Sequence, residues 1–159
     1  MQNNFEYDII SKIENNGRVL IMDEELKEKL IKILTELPDE NSWLDYKVAP
    51  YNREDKYEKA EFIKDLCAFL NCTESYGKDK FIILGIADKT KFKRGISQDS
   101  MEDDKYYQDL CEFIQPRPHV ETGKIKVDDI EYGYILISKD NMERVYSILK
   151  DYPDEYIPI

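Results

Sequence analysis

Apolar residues along the chain recur at two spacings, which predict helices and strands. A spacing of three and four residues after Asp23, a good N-cap, predicts a helix that ends before Pro38. The same spacing predicts a longer and more apolar helix over 59–72 and a third over about 101–114, which ends before Pro116. Three helices of ordinary length are therefore expected.

Shorter apolar runs bounded by turn residues predict the strands. The predicted segments are 18–22, 43–48, 81–87, 120–127, 130–138 and, as a last short strand or turn, 143–150. The run 81–87 is continuous and rich in β-branched residues, which is typical of a central strand buried on both faces. The runs on either side of Asp128-Asp129 are expected to form a hairpin.

Together these elements predict a single α+β domain. The chain has 159 residues, which is the length of one domain. We expect a mixed central sheet with about three helices packed on it. A helical and strand lead-in over 1–38 is predicted to precede one compact unit over 39–159.

The charge of the chain argues against nucleic acid as a partner. There are 23 basic and 34 acidic residues, a net charge of -11, and a uniformly acidic surface repels phosphate. The charge is unevenly distributed, however. Residues 78–94 contain two acidic and six basic side chains, which are Lys78, Lys80, Lys89, Lys91, Lys93 and Arg94. This segment is either a basic face or a solvated lysine-rich loop.

Several other classes of protein are disfavoured by the residues. No apolar run reaches the length of a membrane span and the amino terminus lacks a signal pattern, so a cytoplasmic protein with no membrane partner is expected. Cys67, Cys72 and Cys111 contain no CxxC pair, and with the single His119 they make a poor zinc set. We expect structural roles for the cysteines. Gly85 is too isolated to form a phosphate-binding loop for ATP.

Four short motifs occur in an order that is characteristic of a known family. They read ENSWLDYK at 40–47, KDLCAFLN at 64–71, ILGIADK at 83–89 and IQPRP at 114–118. The stretch from 40 to 96 resembles the AlbA-type domain of the Schlafen family. This chain has Asp45-Tyr46 where the family pattern has Glu-Phe, and the resemblance implies the Schlafen AlbA-like fold.

The resemblance also implies a site. Some Schlafen proteins are metal-dependent endonucleases that cut transfer or ribosomal RNA with three carboxylates, and the matching residues here are Glu40, Asp45 and Asp88. Such a set would bind Mg²⁺ or Mn²⁺, which prefer oxygen ligands. Lys47 lies two residues after Asp45, on the same strand face, where its ammonium would hold a phosphate or polarise the attacking water.

Other family members bind nucleic acid without cutting it. The basic residues Lys89, Lys91, Lys93 and Arg94 directly follow the central strand, so they are expected beside Asp88, where they would contact phosphates. Lys78 and Lys80 belong to the same basic segment. Four tyrosines are candidates for stacking on unpaired bases, namely Tyr46, Tyr51, Tyr57 and Tyr76.

Three functions therefore remain open. In order of preference they are a nucleic-acid-binding domain for RNA or DNA, a metal-dependent endoribonuclease, and an interaction or dimerisation module of a transcription regulator or antiviral defence protein. The large negative charge predicts weak, salt-sensitive binding by this domain alone. A homodimer, or a downstream effector domain that the chain lacks, would supply avidity.

Overall fold

The computed structural model describes residues 23–142 and 145–149. The strand predicted over 18–22 lies outside this part of the chain, as do three residues of the segment predicted over 143–150. The described residues form one α+β unit with three α-helices, a four-stranded mixed sheet and a separate two-stranded sheet. The predicted fold class is confirmed.

Each of the three helices begins after an aspartate. They are α1 (Glu24–Glu36), α2 (Lys56–Leu70) and α3 (Asp104–Cys111). The caps are Asp23, Asp55 and Asp103, whose carboxylates accept hydrogen bonds from backbone N–H groups of the first helical turn. Because Asp55 and Asp103 supply these caps, α2 begins earlier and α3 begins later than the apolar spacing predicts.

The strands are short at one edge of the main sheet and long at the other. They are β1 (Leu44–Lys47), β2 (Lys80–Leu84), β3 (Ile114–Gln115), β4 (Val120–Val127), β5 (Ile130–Ile137) and β6 (Ser147–Ile148). The main sheet has the order β1-β2-β5-β4, with β1 parallel to β2 and the other neighbours antiparallel. β3 and β6 pair separately. The β4–β5 hairpin turns at Asp128 and Asp129, which both have positive φ, as a two-residue turn of this kind requires.

The main sheet is covered by helices on both faces. One face carries Ile82, Leu84, Ile135 and Ile137 and forms a core with α2 and α3. The other face forms a second core with α1, whose Leu30, Ile33 and Leu34 are buried. The predicted lead-in over 1–38 therefore contains a helix that packs on the sheet of the following unit. No helix in the described residues is long and apolar enough to span a membrane.

β2 ends at Leu84, three residues earlier than predicted, because the chain turns at Gly85. Gly85 has a φ of +107°, and a Cβ atom there would lie 3.0 Å from the backbone of Gly95. The N–H of Gly95 donates to the carbonyl of Gly85 across this crossing. The residues between the two glycines, 86–94, form a loop that we call the post-β2 loop. It begins beside the end of β1, since the N–H groups of Gly85 and Ile86 both donate to the carbonyl of Lys47.

Candidate functional site

The site forms where the parallel strands β1 and β2 end. Leu44 pairs with Phe81 and Lys47 with Leu84, so the carboxyl ends of the two strands lie side by side. The side chains of β1 alternate: Leu44 and Tyr46 are buried in the α1 core, whereas Asp45 and Lys47 are half-buried on the α2 side. The predicted pairing and the shared face of Asp45 and Lys47 are thus present in the structure.

Glu40 lies near each of the two predicted aspartates, Asp45 and Asp88. Its Oε1 accepts a hydrogen bond of 3.0 Å from the backbone N–H of Tyr46, which holds the side chain against β1. Partial burial of the carboxyl and the neighbouring Asp45 raise the pKa of Glu40. Loss of surrounding water and the charge of Glu40 likewise raise the pKa of Asp88. Glu40 therefore lies beside both aspartates, and their mutual repulsion favours an added proton or a cation.

Lys47 is held between two carboxylates. Its Nζ lies 3.4 Å from Oδ2 of Asp45 and 3.3 Å from Oδ2 of Asp65. Burial lowers the pKa of Lys47, but the charges of Asp65 and Asp45 outweigh burial, and the net shift is upward. Lys47 is therefore an ammonium ion at neutral pH. This form suits contact with phosphate and does not suit a general base.

Asp65 is a site residue that the sequence analysis missed. Its Oδ2 also accepts a hydrogen bond of 2.7 Å from the hydroxyl of Tyr51, a residue that is only 5% exposed. Asp65 stands three residues after Phe62 and four before Phe69, inside the apolar stripe of α2. A charged residue within a helical stripe is the signal that would have identified it.

These residues line an open cleft of about 320 Å³ between β1 and α2. Its walls combine the charged groups of Glu40, Asp45, Lys47 and Asp65 with neutral residues. The neutral lining residues are Asn41, Ser42, Leu44, Ala68, Phe69 and Cys72. We call this space the acidic cleft.

The carboxylates have the oxygen donors that Mg²⁺ or Mn²⁺ prefers, but the three side chains are spread apart. Across residues 23–142 and 145–149, no three His, Cys, Asp or Glu side chains are grouped closely enough to hold a metal ion. Glu40 instead forms one pair with Asp45 and another with Asp88. As these side chains stand, the three predicted carboxylates therefore do not enclose a metal ion.

The basic segment 78–94 does not form one surface. Lys78 and Lys80 lie at the start of β2, whereas the other four basic residues belong to the post-β2 loop at its end. Lys80 is 5% exposed and donates to the carbonyl oxygens of Phe69 and Cys72, and burial lowers its pKa. The prediction that Lys80 contacts nucleic acid is wrong, because its ammonium binds carbonyl groups near the end of α2.

Within the post-β2 loop, two basic residues form ion pairs and two form none with a described residue. Lys91 pairs with Asp39, and Arg94 binds Asp99 through two hydrogen bonds of 2.7 and 3.2 Å. Lys89 and Lys93 make no ion pair with any described residue. Phe92, between them, is 66% exposed. The loop therefore presents two ammonium groups outside ion pairs and an exposed aromatic ring, and the charge of Lys89 acts on Asp88 by lowering its pKa against the larger upward effects.

The aromatic residues available for stacking differ from those predicted. Tyr46 and Tyr51 are 2% and 5% exposed, so they belong to the core and cannot stack on a base. Tyr57 and Tyr76 are about half exposed. Phe92 was not predicted, because a single aromatic residue in a lysine-rich loop carries no periodic signal. Cys67, Cys72 and Cys111 are free thiols, and Cys111 is fully buried.

The fold and the site define a class of protein: an α+β domain whose mixed sheet carries an acidic cleft and a basic loop at its parallel edge. The family model described as "Schlafen, AlbA_2" matches residues 40–156, well over half of the chain. The chain belongs to this family, and the predicted resemblance is confirmed.

The solved structures to which the chain is similar include the DIP2311 protein from Corynebacterium diphtheriae. It shares 16% sequence identity with this chain, at a TM-score of 0.48. The match covers 72% of this chain and 25% of the other, so the chain spans about a quarter of the length of that protein. A search of curated proteins finds no match.

Proposed function

We propose that this chain is a nucleic-acid-binding domain, and that the post-β2 loop with the adjoining end of the acidic cleft is its contact surface. One observation supports this proposal most: the crossing at Gly85 and Gly95 holds the post-β2 loop against the end of β1, and Lys89 and Lys93 of this loop form no ion pair with a described residue. RNA and DNA share the phosphate chemistry that this surface would recognise.

The contact with nucleic acid combines charge and stacking. Lys89 and Lys93 attract phosphates, and the exposed ring of Phe92 between them offers a face for an unpaired base. Lys47 provides a third ammonium group at the cleft, although two carboxylates already surround it. Because the whole chain carries a net charge of -11, binding is weak and falls steeply with salt.

A salt titration with charge-matched variants tests this proposal. Fluorescence anisotropy with a labelled single-stranded RNA is measured for the wild type and for Lys89→Gln/Lys93→Gln. Each single-strand phosphate contact contributes about 0.7 to the slope of log affinity against log salt, so the variant should lose about 1.4 of that slope. Phe92→Ala should weaken binding by roughly tenfold without changing the slope.

The control is Lys124→Gln/Lys126→Gln, which changes the same net charge on β4, at the opposite edge of the sheet. It should keep the wild-type slope. Equal losses in both double variants would show that only net charge matters and would overturn the proposed surface. A flat RNA titration of a protein that is dimeric by light scattering would favour the interaction module instead.

A second candidate function is metal-dependent cleavage of RNA. It is supported by the position of Glu40, whose pKa responds to both Asp45 and Asp88, and by the Lys47 ammonium in the same cleft. Glu40, Asp45 and Asp88 would have to move closer together to hold a metal ion, and the chemistry that such an ion would supply is the activation of a water molecule. Lys47 would neutralise charge on the phosphate that is attacked.

Manganese titration separates this candidate from binding alone. If the carboxylates take up a cation, Mn²⁺ should raise the melting temperature of the wild type and not that of Glu40→Gln. The control Glu28→Gln alters an exposed carboxylate on α1 and should respond like the wild type. Cleavage of structured RNA that survives in both Glu40→Gln and Asp88→Asn would come from a contaminating nuclease.

A further inference from the structure

A second cavity, of about 530 Å³, lies on the other side of β1 from the acidic cleft. It is formed between α1, the approach to β1 and the start of β2. Its apolar wall consists of Ile33, Trp43 and Phe81, with Pro38 beside them. The volume is that of a pocket for a small organic molecule, and the indole of Trp43 offers a flat surface for a planar ring.

The remaining wall of this pocket is positively charged. Four lysines line it, namely Lys29, Lys32, Lys78 and Lys139, against two acidic residues, Glu36 and Asp79. The lining therefore carries a net charge of about +2 within a chain of net charge -11. Such a local reversal of sign concentrates anions at this pocket.

Asp79 is already occupied by neighbouring groups. Its Oδ2 lies 3.1 Å from Nζ of Lys29, and its Oδ1 accepts a hydrogen bond of 2.8 Å from the backbone N–H of Lys139. The side chains of Lys32, Lys78 and Lys139 form no ion pair with a described residue. Three ammonium groups thus remain available at the rim of an aromatic pocket.

We propose that this pocket binds a nucleoside phosphate. The base lies against the indole of Trp43, and the phosphate binds the ammonium groups of Lys32 and Lys78. The exposed carboxylate of Glu36 on the same rim accepts hydrogen bonds from sugar hydroxyls. A simple aromatic acid would stack on Trp43 and bind one lysine. Its carboxylate would repel that of Glu36, however, and it would offer Glu36 no hydrogen-bond donor.

This pocket is distinct from the proposed nucleic-acid surface. Lys78 precedes β2 and Lys89 follows it, so the two basic regions lie at opposite ends of that strand. Nucleotide binding in this pocket therefore does not depend on the proposed nucleic-acid surface. The nucleoside phosphate has two sources, a free mononucleotide or an unpaired nucleotide of a strand, and both share the chemistry described here.

Trp43 provides a direct measurement, because it is the only tryptophan in the chain. Its fluorescence is followed during titration with AMP, GMP and a short single-stranded RNA. Excitation at the red edge of the indole band keeps absorption by the bases low. Adenosine and inorganic phosphate are the partial ligands, and calorimetry provides a second readout. We expect quenching and heat with nucleotides at concentrations where neither partial ligand has an effect.

Lys32→Gln/Lys78→Gln should weaken nucleotide binding by roughly tenfold, since two charge-assisted contacts are lost. Lys124→Gln/Lys126→Gln on β4 should bind as the wild type does. Response to RNA alone would identify a strand as the source, and response to AMP would identify the free nucleotide. The proposal is overturned by three results: no response in either readout, equal binding of inorganic phosphate, or equal losses in both double variants.

Discussion

The two faces of β1 have different roles in the molecule. On one face Leu44 and Tyr46 are 0% and 2% exposed and pack in the core under α1. On the other face Asp45 and Lys47 line the acidic cleft against α2. A strand of four residues therefore contributes to the stability of the fold through one face and to the candidate site through the other.

Its parallel neighbour β2 differs because both of its faces are covered. All five residues of β2 are buried, including the ammonium-bearing Lys80. β1 is the edge strand, and α2 covers its cleft face only partly, so charged side chains are tolerated there. The position of a strand in the sheet decides whether it can present charged side chains to a site.

The largest expected effect comes from the core face of β1. Leu44→Ala leaves a cavity in a fully buried position and should lower the free energy of unfolding by about 2–5 kcal/mol. The control Val48→Ala changes a residue that follows β1 and is 49% exposed, and its effect should stay within about 0.5 kcal/mol. Urea denaturation measures both. Similar losses for the two variants would contradict the division of β1 into two faces.

An intermediate effect is expected from the two carboxylates that flank Lys47. Asp65→Ala leaves the buried hydroxyl of Tyr51 without its acceptor and should cost about 1–3 kcal/mol of unfolding free energy. Asp45→Ala removes only a partly exposed ion pair and should cost less than about 1 kcal/mol. Thermal and urea melts compare the two.

A double variant checks the physical reason for this difference. Adding Tyr51→Phe to Asp65→Ala removes the unpaired hydroxyl and should restore most of the lost stability. If the double variant is less stable than Asp65→Ala, the hydrogen bond between Tyr51 and Asp65 is not the cause.

The smallest effect concerns Glu40 and depends on pH. Because its pKa and that of Asp88 are raised in the fold, the folded protein holds protons more tightly than the unfolded chain. Stability should then decrease as pH rises from about 4, the ordinary carboxyl pKa, towards neutrality. Glu40→Gln keeps an acceptor for the N–H of Tyr46 and removes the repulsion.

The variant should therefore be more stable than the wild type at pH 7, by less than about 1 kcal/mol for so exposed a group. The difference should shrink at pH 4. Melting temperatures at the two pH values give the result, and a difference that is constant or of opposite sign would contradict the carboxylate cluster.

Much of the fold could be predicted from local pattern. The cap at Asp23, the turn at Asp128-Asp129, the apolar run of β2 and the alternation of β4 and β5 all act over a few residues, so their signals lie in the sequence. The motif order also predicted the family. The observed ends of helices and strands differ from the predicted ends at the helix caps Asp55 and Asp103 and at the turn of Gly85.

Other features depended on distant contacts. Lys80 and Lys89 are both lysines of one basic segment, yet Lys80 is buried near the end of α2 and Lys89 is exposed beyond β2. Asp65 joins the site only because α2 packs across β1. Neither outcome follows from neighbouring residues.

The sequence by itself determined the three helices, most of the strands and the family, because these are recorded in short spacings. Only the tertiary structure decided which lysines are free, which tyrosines are buried, and that Lys78 shares a pocket with Trp43 instead of a surface with Lys89. The reason is physical: charge and exposure depend on which elements pack together, and residues far apart in the chain meet only when the sheet and its helices assemble.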